Sequence, residues 1–252
     1  MKALLEPIKE IARFDELFRD LKKGTAGVTV ISGCLESQKA HMIAGLSEDA
    51  PVRLLIAENE LKAKELYEDY RLYDAETLYY PAKDLIFYQA DIHGNLLIRQ
   101  RLQVIQALLE RKEVTIITSV GGCMDFLLPL GVFEKHCIHL RNDSEFDLDK
   151  IRKELVRLGY ESTFQVESTG QFSVRGGILD IYPLTEQNPI RIELWGDEID
   201  SIRSFDAESQ RSIENLEEIT IYPASELILT EDTIARGVKA VSYTHLTLPT
   251  KL

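Results

Sequence analysis

Residues 96–120 read LLIRQRLQVIQALLERKEVTIITSV, and the change of period inside this stretch sets the fold class. Between Leu96 and Glu110, the residues Leu97, Arg101, Val104, Ile105 and Leu108 recur at helical spacing. Arg111 and Lys112 follow where cations favour the carboxyl end of a helix dipole. Val114 to Val120 is then a short β-branched run, the composition of a strand covered on both faces.

Upstream, the same grammar repeats. Val52 to Ala57 (VRLLIA) is a near-continuous apolar strand, and Glu60 to Tyr73 sets Leu61, Leu66 and Tyr70 among charges, as a surface helix does. Val28 to Ser32 (VTVIS) reads as a further short strand, with Leu35 to Leu46 as the helix after it. Repeated strand-then-helix segments imply a parallel sheet, hence an α/β domain over residues 1–134. The Tyr79-Tyr80-Pro81 turn with Phe87 and Tyr88 lies among Asp84 and Asp91, so it reads as packing rather than as a base-stacking platform.

Downstream, the grammar changes. The run VFEKHCIHL (132–140) reads as a strand, and Asp147 caps a short helix bearing Leu148, Ile151, Leu155 and Leu158 that Gly159 ends. Strands are expected at Thr163 to Glu167, Gln171 to Arg175, Ile178 to Tyr182 and Ile190 to Trp195, with a hairpin turn at Gly196-Asp197. Glu208 to Glu218 reads as a solvated acidic face and turn. These segments define a small α+β domain over 135–222, followed at 223–240 by the start of another segment. The last residues, VSYTHLTLPTKL (241–252), continue no pattern and read as a non-native tail.

With 252 residues, 44% of them hydrophobic, the chain can bury a sizeable core. Its 42 acidic against 29 basic residues give a formal charge of −13, which speaks against a phosphate-neutralising surface and so against direct nucleic-acid binding. No stretch approaches the roughly 20 apolar residues of a membrane helix, and the amino terminus lacks a signal-peptide core, so a cytoplasmic protein without membrane contact is expected. Cys34, Cys123 and Cys137 lack metal-motif spacing and are expected to be buried thiols. His136, Cys137 and His139 lie in the expected strand with no fourth ligand nearby, so no metal site is assigned.

One motif invites a catalytic reading and then fails it. VTVIS runs into Gly33-Cys34-Leu35-Glu36-Ser37-Gln38-Lys39-Ala40, which has the length and placement of the phosphate loop G-x-x-x-x-G-K-[ST]. Gln38 stands where glycine lets backbone amides close on phosphates, and Ala40 stands where a hydroxyl ligates magnesium. Only Gly33 and Lys39 remain, and Glu36 adds negative charge inside the loop. No nucleotide, metal or other cofactor is therefore expected, and no catalytic residue is assigned.

A second constellation points to a partner. In Ile190 to Trp195, the residues Ile190, Ile192 and Leu194 share one face while Arg191, Glu193 and Trp195 share the other. Arg and Trp dominate interface hot spots, and Arg175 leaves the core face of its own strand just before Gly176-Gly177. The residues alone also allow an internal reading, in which Trp195 packs under a loop and both arginines pair with Asp180, Glu193 or Asp197.

The stretch YYPAKDLIFYQADIHGNLLIRQRLQVIQALLERKEVTIITSV (79–120) resembles the UvrB-homology region of the transcription-repair coupling factor family. FSVRGGILDIYP (172–183), IRIELWGDEIDSIRSFDAESQRS (190–212) and ITIYPASE (219–226) resemble its second domain in order and spacing. The resemblance implies a degenerate P-loop, helicase-like parallel-sheet domain with an inserted small α+β domain. In that family the small domain binds UvrA through two arginines and a nearby aromatic, positions matched here by Arg175, Arg191 and Trp195. It thus implies a non-enzymatic UvrA-recruiting module for nucleotide excision repair. The motor and the RNA polymerase and duplex DNA contacts of the full-length family member lie elsewhere in that protein. A UvrB-like, nucleotide-dependent helicase fragment is the alternative, and the degenerate loop at Gly33, Gln38, Lys39 and Ala40 weighs against it.

Overall fold

The computed structural model describes residues 2–11, 13–23, 27–83, 91–125, 127–228 and 238, with backbone alone at 2, 3 and 91–95. Asp84, Phe87, Tyr88, the tail from Val241 and nearly all of the segment expected after residue 228 lie outside the described residues. The chain forms two compact units, Met1–Phe126 and Leu127–Leu252.

The first unit runs α1 (Lys2–Leu5), a 3₁₀ turn (Glu6–Glu10), α2 (Phe14–Lys22), α3 (Glu36–Leu46), β1 (Val52–Ala57), α4 (Glu60–Tyr70), β2 (Thr77–Tyr80), α5 (Asp91–Leu109), β3 (Val114–Ser119) and α6 (Val120–Met124). Its three strands are parallel in the order β1-β3-β2, as the strand-then-helix repeats predict. The central β3 is buried at every position, which explains why VTIITS carries no alternation. Leu55, Tyr70 and Ile117 pack with Ala40 and Ala44 of α3, while Ile116 and Val114 pack with Val104 and Ala107 of α5.

VTVIS departs from its expectation. Val28 to Ser32 form no strand, and Val28 and Val30 are 88% and 85% exposed. β-Propensity expresses packing on neighbouring strands rather than a backbone preference, and this run pairs with none of the three parallel strands.

The second unit runs α7 (Leu130–Lys135), β4 (Ile138–Arg141), α8 (Leu148–Arg157), β5 (Glu161–Ser162), β6 (Gln171–Arg175), β7 (Ile178–Ile181), β8 (Ile190–Trp195), β9 (Glu198–Phe205), β10 (Ser212–Leu216) and β11 (Glu218–Ile221). Strands β5 to β10 form one sheet in sequential order, antiparallel except for β5 on β6, and β4 pairs with β11 separately. Asp147 caps α8 through its Oδ1, which accepts from Lys150 N at 3.0 Å, and Gly159 ends the helix at φ +92°. The apolar face of the sheet buries Phe172, Leu179, Ile181, Ile192 and Ile202.

Three local expectations are corrected. VFEKHCIHL begins as α7 and becomes strand only at Ile138. Thr163 to Glu167 is not a strand, because Gln171 Oε1 accepts from Glu167 N and Ser168 N, both at 3.0 Å, in place of a ladder. The acidic stretch from Glu208 contains β10, which is nonetheless largely exposed.

The cysteines are also not buried as expected: Cys123 is exposed, and Cys34 and Cys137 are half-buried. His136 Nδ1 lies 2.8 Å from Val132 O, His139 Nδ1 lies 3.0 Å from Thr220 Oγ1, and Cys137 Sγ donates to Phe133 O. Among the described residues no group of His, Cys, Asp or Glu is placed to hold a metal, and no helix is long and apolar enough to cross a membrane. Burial, with Glu134 adding to it, pushes the Cys137 thiol up to about 11. At pH 8, iodoacetamide is expected to alkylate Cys123 well before Cys137, read by peptide mass spectrometry. Because the folded thiol holds its proton more tightly than the unfolded one, this group's contribution to stability is full below the ordinary thiol range and is lost as pH rises towards 11. Equal labelling of both thiols at pH 8 would refute this difference.

Candidate functional site

Three of the four positions of the failed phosphate loop have a structural task, and the fourth, Lys39, makes an exposed ion pair. Gly33 takes φ +84° and turns the chain into α3. Gln38 Oε1 accepts from Leu35 N at 3.1 Å, closing the first turn of the helix from the side-chain end. Lys39 Nζ pairs with Glu36 Oε1 at 2.7 Å, and Ala40 is buried against the β1 and β3 core. Beyond them, at the carboxyl end of the parallel strands where α/β folds bind ligands, sits the Glu60 carboxylate. It accepts from Tyr79 Oη at 2.6 Å, from Ala82 N at 3.2 Å and from Ser119 Oγ. Burial, reinforced by Glu60, raises the Tyr79 hydroxyl above its ordinary range.

The other constellation converges. Gly176 and Gly177 make a two-residue turn, with Gly176 at φ +60°, that sets Arg175 opposite Ile178 and Ser173 opposite Asp180. The β7–β8 register then sets Asp180 directly opposite Arg191, and β8–β9 sets Arg191 opposite Arg203. Directly opposed residues share a sheet face, so the polar sides of β6, β7 and β8 meet at Asp180.

Asp180 is 1% exposed. Its Oδ1 accepts from Arg191 Nε at 2.7 Å, and its Oδ2 accepts from Arg191 Nη2 at 2.9 Å and from Arg175 Nη2 at 2.8 Å. The Arg191 contact is the two-pronged fork that fixes a guanidinium in its plane. Hydrogen bonding to Asp180 raises the Arg191 guanidinium above its ordinary value. Arg191 is held further by Gln210 Oε1 at 3.0 Å and by the buried Phe205 ring, 4.4 Å from the guanidinium carbon to the ring centroid. Gln210 itself adopts φ +58° in the turn after β9, with its Nε2 donating to Ala207 O at 2.8 Å. Beside this group, Arg203 pairs with Glu193.

Two guanidiniums on one carboxylate leave a positive charge in a chain of net −13. Trp195, four residues beyond Arg191 on the same strand, is 83% exposed. It flanks the turn of the β8–β9 hairpin, which Phe146 N braces by donating to Asp197 O at 2.8 Å. Of the two internal readings, the arginine pairing on Asp180 is realised, while the packing of Trp195 under a loop is not. The sequence reading named Asp180 only as one of several possible partners and did not identify Gln210 or Phe205. The signal for Asp180 is its position four residues after Gly176, which after a two-residue turn places it across from Ser173; its place across from Arg191 needs the β7–β8 register as well.

Residues 138–227, which contain β4 to β11, match the family model described as the UvrB interaction domain. The second unit therefore carries a UvrB interaction domain. The chain as a whole matches the amino-terminal part of transcription-repair-coupling factors. It is 38% identical over 240 residues to the transcription-repair-coupling factor of Staphylococcus aureus strain USA300, covering 93% of this chain and 20% of that protein. To that of Bacillus subtilis strain 168 it is 34% identical over 243 residues, covering 90% of this chain and 21% of the relative. The chain thus spans about a fifth of the length of these relatives.

Proposed function

We propose that the face formed by Arg175, Arg191 and Trp195 is a docking surface for UvrA, and that this chain serves as the UvrA-recruiting module of its family in transcription-coupled nucleotide excision repair. The observation that carries the reading is the pair of guanidiniums fixed on one buried carboxylate beside an exposed tryptophan. A fixed fork loses little conformational freedom when it meets an acidic partner group, and Trp195 supplies apolar area. Contact with RNA polymerase and duplex DNA, and ATP-driven translocation, belong in this reading to other parts of the full-length protein. The first unit is read as a degenerate helicase-like domain that is not itself a nucleotide-dependent enzyme. Its support is the structural use of Gln38 and Ala40.

The structure also selects the test. Arg191→Glu would set a second carboxylate against buried Asp180, so lost binding could reflect lost folding. Trp195→Ala and Arg175→Ala change exposed or half-exposed side chains instead. In calorimetric titration of the chain with purified UvrA, each is expected to weaken affinity by about tenfold or more, the range of an interface hot spot. Wild-type affinity for both, with folding intact by circular dichroism, would refute the docking surface.

A further inference from the structure

We propose that Phe164 is a second apolar anchor of the same surface, so that the partner it fits presents an acidic group between two apolar recesses. This rests on the docking reading of Arg175, Arg191 and Trp195. Among the described residues, Phe164 and Trp195 are the exposed members of the phenylalanine and tryptophan set, at 84% and 83%. A single exposed apolar side chain is ordinary on a protein surface. What distinguishes Phe164 is its fixed position and the face on which it is fixed.

The backbone around Phe164 is pinned to β6 on both sides. Thr163 N donates to Phe172 O at 2.8 Å, and Ser173 Oγ donates to Phe164 O at 2.7 Å. Thr163 Oγ1 closes the turn by donating to Gln165 O at 3.0 Å. Ser173 is 1% exposed and lies directly opposite Asp180, which lies directly opposite Arg191. Its hydroxyl therefore belongs to the face that carries the arginines, and it seats Phe164 at the β5 edge of that face.

Strand spacing gives the dimensions. Neighbouring strands lie about 4.8 Å apart, and four residues along a strand span about 13 Å. Trp195 and the Phe164 backbone then stand roughly 20 Å apart, with the Arg175–Asp180–Arg191 group between them. A standard interface covers about 800 Å² on each partner, enough to include both aromatics. The aromatic side chains have few rotatable bonds, so each contributes contact area at low ordering cost.

The test is a calorimetric cycle with purified UvrA, using the full chain as wild type, Phe164→Ala, Trp195→Ala and the double variant, each with its melting temperature. Phe164→Ala is expected to weaken affinity by about five- to tenfold without a change in melting, and the double variant to weaken it further. If Trp195→Ala weakens binding while Phe164→Ala stays within about twofold of wild type, the second anchor is wrong and the docking surface stands. If Phe164→Ala lowers the melting temperature as well, Phe164 has a structural role and the inference also fails. If both single variants and Arg175→Ala bind as wild type, the docking reading itself falls, and this inference with it.

Discussion

Replacing Arg101 by alanine is expected to lower the unfolding free energy by about 3 to 5 kcal/mol, read by urea titration of the helical circular dichroism signal. Arg101 is fully buried in the first unit, yet it sits in the stripe of α5 that otherwise packs apolar residues. Its Nη1 donates to Pro81 O at 2.5 Å and to Asp125 Oδ2 at 2.9 Å, and its Nη2 donates to Tyr80 Oη at 2.5 Å. The guanidinium also stacks 4.0 Å over the Tyr80 ring. Asp125 Oδ2 in turn accepts from Lys83 N at 2.7 Å, so one cation joins the segments after β2 and after α6 to α5.

Removing buried Arg101 leaves the partly buried Asp125 carboxylate, the Pro81 carbonyl and the Tyr80 hydroxyl without their donor, which costs more than the contacts contribute when intact. The double variant Arg101→Met with Asp125→Asn should therefore recover part of the loss of Arg101→Met alone. A loss below about 1 kcal/mol for Arg101→Ala would show that the network is solvated and carries little.

Arg101 also shows what a sequence exposes and what it hides. Its spacing with Leu97, Val104 and Ile105 placed it correctly on a helix and on the buried side of that helix. Its acceptors come from Tyr80, Pro81 and Asp125, 20 to 24 residues away, and no local pattern announces them. VRLLIA and VTIITS were legible because both strands lie in a sheet whose parallel order the strand-then-helix repeats imply. VTVIS has the same composition and no strand partner, so its pattern misled.

The candidate site divides in the same way. Alternation within IRIELW was enough to separate Arg191 and Glu193 from buried Ile190 and Ile192, because a strand's period is two; Leu194, past the register shift between Glu193 and Leu194, is only half-buried. The meeting of Arg175 with Arg191 on Asp180 depends on two strand registers at once, and the hold of Gln210 depends on a left-handed turn residue. Neither the registers nor the turn follows from one strand's pattern. The hairpin that carries Trp195 is likewise braced at Asp197 by Phe146, about 50 residues upstream.

Asp180→Asn is expected to weaken UvrA binding by about tenfold, and the sign of that change separates two accounts of the site. If the arginines serve only as internal ion-pair partners for Asp180, removing its charge releases them, and affinity for an acidic partner should hold or rise. If Asp180 positions them for docking, the outcome combines two opposing effects. The added net positive charge speeds encounter, but a single charge near the surface is screened within about 8 Å at physiological salt. Against it, asparagine offers one acceptor oxygen where the carboxylate offers two, so the Arg191 fork and the Arg175 contact cannot all persist. The loosened arginine side chains must then be ordered during binding, at about 0.5 to 1.5 kcal/mol each. The ordering cost exceeds the steering gain, so affinity falls, chiefly through faster dissociation measured by surface plasmon resonance. Asp180→Ala removes every acceptor and should add a stability loss of about 2 to 4 kcal/mol that Asp180→Asn largely avoids. Tighter binding by folded Asp180→Asn would assign Asp180 the opposite role, that of a competitor which holds the arginines away from an acidic partner.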